Sequence, residues 1–214
     1  MTASTASPDA LRLVIDCASE ACTVALIDRA RVVDARHEVI GRGHAERLVP
    51  LIAELQGGGR AAGILVGCGP GSFAGVRIGV AAARALGLAW GVPVRGFSTP
   101  ALVAAAAAAP IAAAGRALVV MEGGHGQWFV QPFDADLTPR GPVQSLLPDA
   151  AIANGDALIV GNRAEAFVAR RGFGEALATL PDARALPALP AEALFDDPRP
   201  IYGRAPDAKP MATP

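Results

Sequence analysis

Residues 67–79 read GCGPGSFAGVRIG. The apolar run Ile64-Leu65-Val66 precedes them, and a long apolar segment with helical character follows as far as Trp90. A strand, a glycine-rich loop and a helix in that order form a common unit of α/β proteins. The same order often holds phosphate, because a helix N-terminus exposes unpaired N–H groups and a partial positive charge. The named phosphate motifs do not match, however. A Walker A loop needs a lysine after its last glycine, and the chain's one lysine is Lys209. A dinucleotide fingerprint needs G-x-G-x-x-G, whereas Gly69-x-Gly71 is followed by glycine only at position 75. A phosphate cradle and a tight strand-to-helix turn both remain open.

The helix after the loop, from about Phe73 to Trp90, says more. Gly75, Gly79, Ala83 and Gly87 are spaced by four and form one ridge of small residues. Glycine inside a helix costs about 1 kcal/mol relative to alanine, and close approach of another backbone is the usual reason to keep it. The other faces carry Val76, Ile78, Val80, Leu86, Leu88 and Trp90, and only Arg77 and Arg84 are charged. Such a helix must be covered on more than one side. Its own sheet covers one side. A second helix, His44–Leu55, covers part of another, and a partner chain is a candidate for the rest. Complete burial within its own domain is the alternative. In His44–Leu55 the residues Leu48, Leu51, Ile52 and Leu55 fall at i, i+3, i+4 and i+7, an amphipathic stripe. Pro50 should kink that helix or lie near its start, and Gly57-Gly58-Gly59 ends it.

Working outward, strands are expected at Leu11–Asp16, Thr23–Ile27 and Val32–Val39, with a tight turn at Asp28-Arg29-Ala30. Ile64–Cys68 and Val92–Arg95 are further strands. A second unit begins near Ser98, which can cap a helix built from the alanine tract. Ala117–Met121 and Gln127–Phe133 read as a hairpin turning at Gly123-Gly124-His125-Gly126. Leu158–Val160 is a strand, and Asn162 is the expected cap of helix Arg163–Arg170. From Pro181 prolines recur and order should weaken. Both halves mix hairpin strands with later helix–strand units, so two similar α/β lobes are expected. They divide into a disordered tail at 1–10, a first lobe at 11–97, a shorter second lobe at 98–180 and a proline-rich segment at 181–214.

Composition narrows the classes. The chain has 214 residues, 52% of them hydrophobic and 18% charged, so a sizeable core is expected. A net charge of −1, with no basic run beyond Arg170-Arg171, does not mark an autonomous nucleic-acid binder. The start MTASTASPDA has neither the basic nor the apolar region of a signal peptide, and the alanine tract Ala101–Ala114, broken by Pro110, is too weakly apolar to span a membrane. Cys17, Cys22 and Cys68 lie in apolar surroundings without a C-x-x-C spacing, as expected of reduced thiols in a cytoplasmic protein. Each catalytic apparatus is incomplete. His37, His44 and His125 include no helical zinc pair. Ser72 does not sit in a G-x-S-x-G elbow. Cys68 is most simply core. Asp16 with Glu20 could hold Mg²⁺ through water, or Asp16 could cap a turn. No cofactor, metal or catalytic residue is assigned.

The stretches IDCASEACTVALID (15–28), HAERLVPLIAEL (44–55) and GCGPGSFAGVRIGVAAARALGLAWGVPVRGFSTPALVA (67–104) resemble the TsaB (YeaZ) family of bacterial tRNA threonylcarbamoyladenosine biosynthesis proteins. ALVVMEGGHGQWFV (117–130) is similar to the opening of that family's second lobe, and RPIYGR (199–204) to its C-terminal P-x-Y-x-R element. The resemblance implies an actin-like (ASKHA, ribonuclease H-like) α/β fold of two lobes, each a mixed sheet flanked by helices. It implies a non-catalytic scaffold that binds TsaD, the subunit transferring threonylcarbamoyl to N6 of adenosine 37 in tRNAs reading codons that begin with A. The implied partners are TsaD in a heterodimer, the ATPase TsaE in a larger complex, tRNA through the complex, and a second copy when the chain is alone. The partner interface it implies comprises His44, Leu48, Leu51, Ile52, Leu55, Gly75, Val76, Gly79, Val80, Ala83 and Gly87, with Gly69, Pro70, Gly71, Ser72 and Phe73 positioning the docking helix. An ATP-dependent phosphotransferase or a metalloprotease-like enzyme of the same superfamily is the alternative, although Asp16-Cys17-Ala18-Ser19 lacks the glycine of a phosphate loop. The chain departs from the family at Glu122-Gly123-Gly124 (usually Asp-Ala-Arg), at Gln127-Trp128-Phe129, and at Gly203 where leucine is usual.

Overall fold

A computed structural model describes residues 11–203. The expectations for the first ten residues, and for those from position 204 onward, lie outside the described residues. Strands β1 (Leu11–Asp16), β2 (Ala21–Asp28) and β3 (Arg31–Val39) form an antiparallel meander. Helix α1 (His44–Ala53) then crosses to β4 (Ile64–Gly67), which pairs parallel with β1. Helix α2 (Phe73–Trp90) crosses to β5 (Val94–Phe97), parallel with β4. The central strands read as continuous apolar runs because helices or segments of chain cover both faces of this sheet.

Helices α3 (Thr99–Ala106) and α4 (Ala108–Ala114) lead into the second lobe. The alanine tract is therefore two helices, parted at Ala107 (φ −110°) three residues before Pro110. Ser98 caps α3, its side chain accepting from the Ala101 N–H at 3.3 Å. Strands β6 (Arg116–Gly124), β7 (Gln127–Asp134) and β8 (Gln144–Leu146) form a second meander. The short helix α5 (Pro148–Ala151) precedes β9 (Leu158–Val160), and α6 (Ala164–Arg171) precedes β10 (Glu175–Leu177). β9 runs parallel to β6, and β10 to β9.

The spatial orders are β5-β4-β1-β2-β3, with a sixth, C-terminal strand added beyond β5, and β10-β9-β6-β7-β8. Strand for strand, the second is the first repeated. That order, an antiparallel meander extended by two parallel strands, is the ribonuclease H-like lobe of actin-like proteins, so the expected fold is the observed one.

Four apolar clusters line the faces of the two sheets. One lies between the first sheet and α1 and α2 (Leu13, Ile15, Leu48, Leu51, Val80). Another lies between the second sheet and α3 and α4 (Val103, Ile111, Val119, Phe133). Leu102 of α3 reaches the opposite face of the first sheet, so this helix is a shared wall between the lobes. Phe167, on the buried side of α6, closes the outer face of the second sheet.

The proline-rich segment is not loosely ordered within the described residues. A 3₁₀ turn at Ala183–Ala188 buries Ala183 and Leu186 against the first sheet. The Ala183 N–H donates to Thr23 Oγ1 at 3.0 Å. Strand β11 (Phe195–Asp196) then pairs antiparallel with β5. The recurrent prolines pre-set extended and 3₁₀ backbone, so here they fix a strap rather than loosen one.

Helix α2 is long and apolar enough, by length and composition alone, to cross a membrane. One of its faces is packed against the first sheet.

Candidate functional site

The loop Gly67–Ser72 lies against the turn that follows β1. A side chain on Gly71 would collide with the Ala18 carbonyl oxygen, and one on Gly75 with that of Cys17. The Ser72 N–H donates to Ala18 O at 2.7 Å, and the Ser72 hydroxyl caps α2 by accepting from the Gly75 N–H at 3.3 Å. Gly69 (φ +85°) precedes a cis peptide to Pro70. Its carbonyl accepts from the Thr99 N–H at 2.9 Å. The glycines thus admit the chain's own β1–β2 turn and the start of α3. Of the two readings of the loop, the geometry is that of a tight strand-to-helix turn.

Beneath the loop, Asp16 is fully buried. It accepts from the Ala18 N–H and from Thr99 Oγ1, both at 2.8 Å. Burial pushes its carboxyl up to about 6, against the pull of these two hydrogen bonds. Glu20 is held instead by Asn162, whose amide donates to its Oε2 at 2.8 Å. Among the described residues no group of three or more His, Cys, Asp or Glu could hold a metal ion. Cys68 is buried, and desolvation pushes its thiol up to about 12.

The residues expected at a partner interface are all inside the chain. Leu48, Leu51, Ile52 and Leu55 are at most 3% exposed and pack on the first sheet. His44 is 6% exposed, with Nε2 at 3.3 Å from the Ala21 carbonyl. Gly75, Val76, Gly79, Val80, Ala83 and Gly87 form the buried face of α2. The close neighbours of the glycine ridge are Cys17 at one end and Val94 of β5 at the other. The stripe and the ridge expected at the partner interface are thus engaged within the chain, because α1 and α2 need them to sit on their own sheet. Arg47 adds a clamp, holding Glu38 of β3 at 2.6 and 2.7 Å and Glu54 at 2.7 Å.

What α1 and α2 show outward is the rest of their surface. On α1 this includes Ala45, Val49 and Ala53; on α2 it includes Ala74, Ala81, Ala85, Leu88 and Ala89. Leu88 is 87% exposed and Val49 58%. The charges on the α2 face are Arg77 and Arg84. Sequence periodicity located these helices and missed this face, whose signal is the run of alanines between the buried positions.

A cleft of about 730 Å³ separates the lobes. The β1–β2 turn and the start of α2 form one wall, and Met121–His125, Phe129 and Asn162 the other, with Ile201–Gly203 crossing it. Asn162 is not the cap of α6. Its amide donates to Glu20 Oε2 at 2.8 Å, and its Oδ1 accepts from the Glu122 N–H at 2.9 Å, so it latches one lobe to the other. Arg77 lies 3.8 Å over the Phe73 ring and donates through Nε to the Tyr202 hydroxyl at 3.0 Å. The Ile201 N–H donates to Cys68 O at 2.7 Å. A side chain at Gly203 would collide with the Phe129 ring. Two of the departures noted above, at Phe129 and at Gly203, are thus in contact.

Two lobes of one repeated topology, a closed glycine turn and an outward alanine-rich helix pair define a two-lobed actin-like α/β protein. Residues 33–164 match the family described as "TsaD: tRNA N6-adenosine threonylcarbamoyltransferase". An uncharacterized protein of Mycobacterium tuberculosis is 32% identical over 212 residues, 94% of each chain. The tRNA threonylcarbamoyladenosine biosynthesis protein TsaB of Escherichia coli is 40% identical over 92 residues, covering 41% of this chain and 39% of that one. Among solved structures, YeaZ from Pseudomonas aeruginosa superposes with a TM-score of 0.72 at 27% identity, covering 84% of this chain and 90% of that one. The chain belongs to the TsaB (YeaZ) family, within the broader TsaD family.

Proposed function

We propose that the chain takes part in forming N6-threonylcarbamoyladenosine at position 37 of tRNAs reading codons that begin with A, as a non-catalytic scaffold in the cytoplasm. It binds the TsaD transferase through the outward faces of α1 and α2, pairs with a second copy through the same faces when alone, and meets TsaE and tRNA through the larger complex. The observation that carries this reading is the outward face itself, which combines small side chains with an exposed Leu88 and Val49. Alanine faces let helices approach closely, and Leu88, 87% exposed, adds to that face an apolar side chain that a partner can bury. The buried stripe and the glycine ridge act indirectly, by setting the height and tilt of the two helices.

Size-exclusion chromatography with light scattering, on the chain alone and mixed with TsaD of the same organism, tests this. A homodimer that exchanges for a one-to-one heterodimer is expected, and Ala81→Arg should leave a folded monomer that fails to bind. A wild-type chain that stays monomeric and ignores TsaD would overturn the scaffold reading.

A further inference from the structure

Cys17 and Cys22 flank the turn at the floor of the cleft. The β1–β2 ladder pairs Asp16 with Thr23, and its next rung places Cys17 opposite Cys22. Their sulfurs are 3.7 Å apart, and the residues are 1% and 0% exposed. Directly opposed residues of antiparallel strands have Cβ atoms about 4.5–5.5 Å apart, and a disulfide needs about 3.5–4.5 Å with sulfurs about 2.05 Å apart. A small inward movement on both sides therefore closes the bond. We propose that Cys17 and Cys22 are a redox modification site, a dithiol that the native fold favours as an intramolecular disulfide under an oxidising disulfide such as oxidised glutathione.

Other features support the site. Ala18, Ser19 and Glu20, three of the four residues between the two cysteines, line the 730 Å³ cleft, so opening this one turn brings solvent to the pair. The hydrogen bond between the thiols holds Cys22 below the ordinary thiol range and, with burial, pushes Cys17 well above it. With Cys22 as the first sulfur, the exchange balances in two steps. The Cys22 thiolate attacks one sulfur of oxidised glutathione, and the glutathione thiolate released takes up a proton. The Cys17 sulfur, giving its proton to solvent, then attacks Cys22 and expels the second glutathione thiolate, which is protonated in turn. Two thiols lose two electrons and two protons, and one oxidised glutathione becomes two reduced ones. Cys68, held as a thiol in the core, takes no part. The consequence is local: the Cys17 carbonyl and Cβ are the surfaces on which Gly75 and Gly79 of α2 rest, so the bond is made at the seat of that helix.

The test is a redox equilibration of the full chain in glutathione buffers of stepped ratio, under native conditions and again in concentrated urea. Each mixture is acid-quenched, alkylated with N-ethylmaleimide and read by mass spectrometry. Both cysteines fall in the tryptic peptide 13–29. That peptide should be unalkylated and about 2 Da lighter than its dithiol form, with Cys68 alkylated. The equilibrium constant should be at least about tenfold larger in the native chain than in urea, because the fold holds the sulfurs together. Cys17→Ser should abolish the lighter peptide. An equal or smaller native constant, or a native peptide still doubly alkylated in the most oxidising buffer, would overturn the proposal.

Discussion

The first lobe and the second share a strand order and differ in the helices laid over it. In the first, α1 has 10 residues and α2 has 18; their counterparts α5 and α6 have 4 and 8. Lengths make the difference concrete. α6 rises about 12 Å at 1.5 Å per residue, close to the roughly 10 Å of the three-residue strand β9 beneath it. α2 rises about 27 Å over a four-residue strand of roughly 13 Å. The second lobe has helix enough to close its core and little more. In the first, α2 packs on its sheet along its whole length, from Gly75 to Gly87, and its other face presents alanines and Leu88 to solvent. Covering a sheet and offering a surface are separate tasks, and one topology serves both by changing helix length.

The largest test of this contrast concerns how α2 is seated. Gly75→Ala should cost on the order of 3–5 kcal/mol, because the opposing Cys17 carbonyl is backbone and cannot rotate away. Gly172→Ala, at the C-cap of α6, meets no atom within 4 Å and has only its positive φ of +86° to oppose it, so about 1 kcal/mol is expected there. Urea unfolding of the two variants checks both values. Similar losses would mean that α2 is not uniquely tight on its lobe.

Next comes Asp16, the buried carboxyl under the glycine turn. Its folded value of about 6 lies above the ordinary 3.8. Between those limits the folded chain binds more protons than the unfolded one, so stability falls as pH rises from about 4 to 6 and stays reduced above that. The loss is on the order of 2–3 kcal/mol. Asp16→Asn should flatten this part of the profile while wild type keeps its slope. Parallel slopes, measured by chemical denaturation at each pH, would remove Asp16 as the cause.

A smaller effect is expected at the latch. Asn162→Ala removes the bond to Glu20 and leaves the Glu122 N–H without its acceptor. About 1–2 kcal/mol should be lost, and the Glu122 amide should exchange faster with solvent. Unchanged exchange would show that the lobes are held by α3 and the C-terminal strap alone.

Much of this architecture was legible in the sequence, and the failures share a cause. Periodicity placed α1 and α2 within a residue or two, because Leu48, Leu51, Ile52 and Leu55 repeat as a helix demands. It could not say what the stripe faces, since its own sheet and a partner chain ask for the same pattern. The spacing of Gly75, Gly79 and Gly87 likewise announced a close approach without naming the approaching backbone. β8, β10 and β11 have three, three and two residues, too few for alternation to register. Asn162 sits before a helix as a cap would, but its partner Glu20 is 142 residues away. The prolines after 181 suggest loss of order from sequence alone because the partners of that segment, Thr23 for Ala183 and β5 for β11, lie far back in the chain.

The smallest expected change in stability is also the sharpest probe of the contrast between the lobes. Leu88→Glu alters a side chain that is 87% exposed at the end of α2 farther from the glycine turn. Surface substitutions of this kind stay within about 0.5 kcal/mol, so the melting temperature should barely move. Phe173 of the second lobe, 61% exposed, is the matching control, although Arg171 lies 4.2 Å over its ring. If the outward face of α2 exists to be covered, Leu88→Glu should weaken association by tenfold or more, because the new carboxylate must be desolvated against an apolar partner. Phe173→Ser should leave association unchanged. Equal effects on association from the two variants would mean that exposed apolar residues on this protein are unspecific, and that the longer helix carries no special surface.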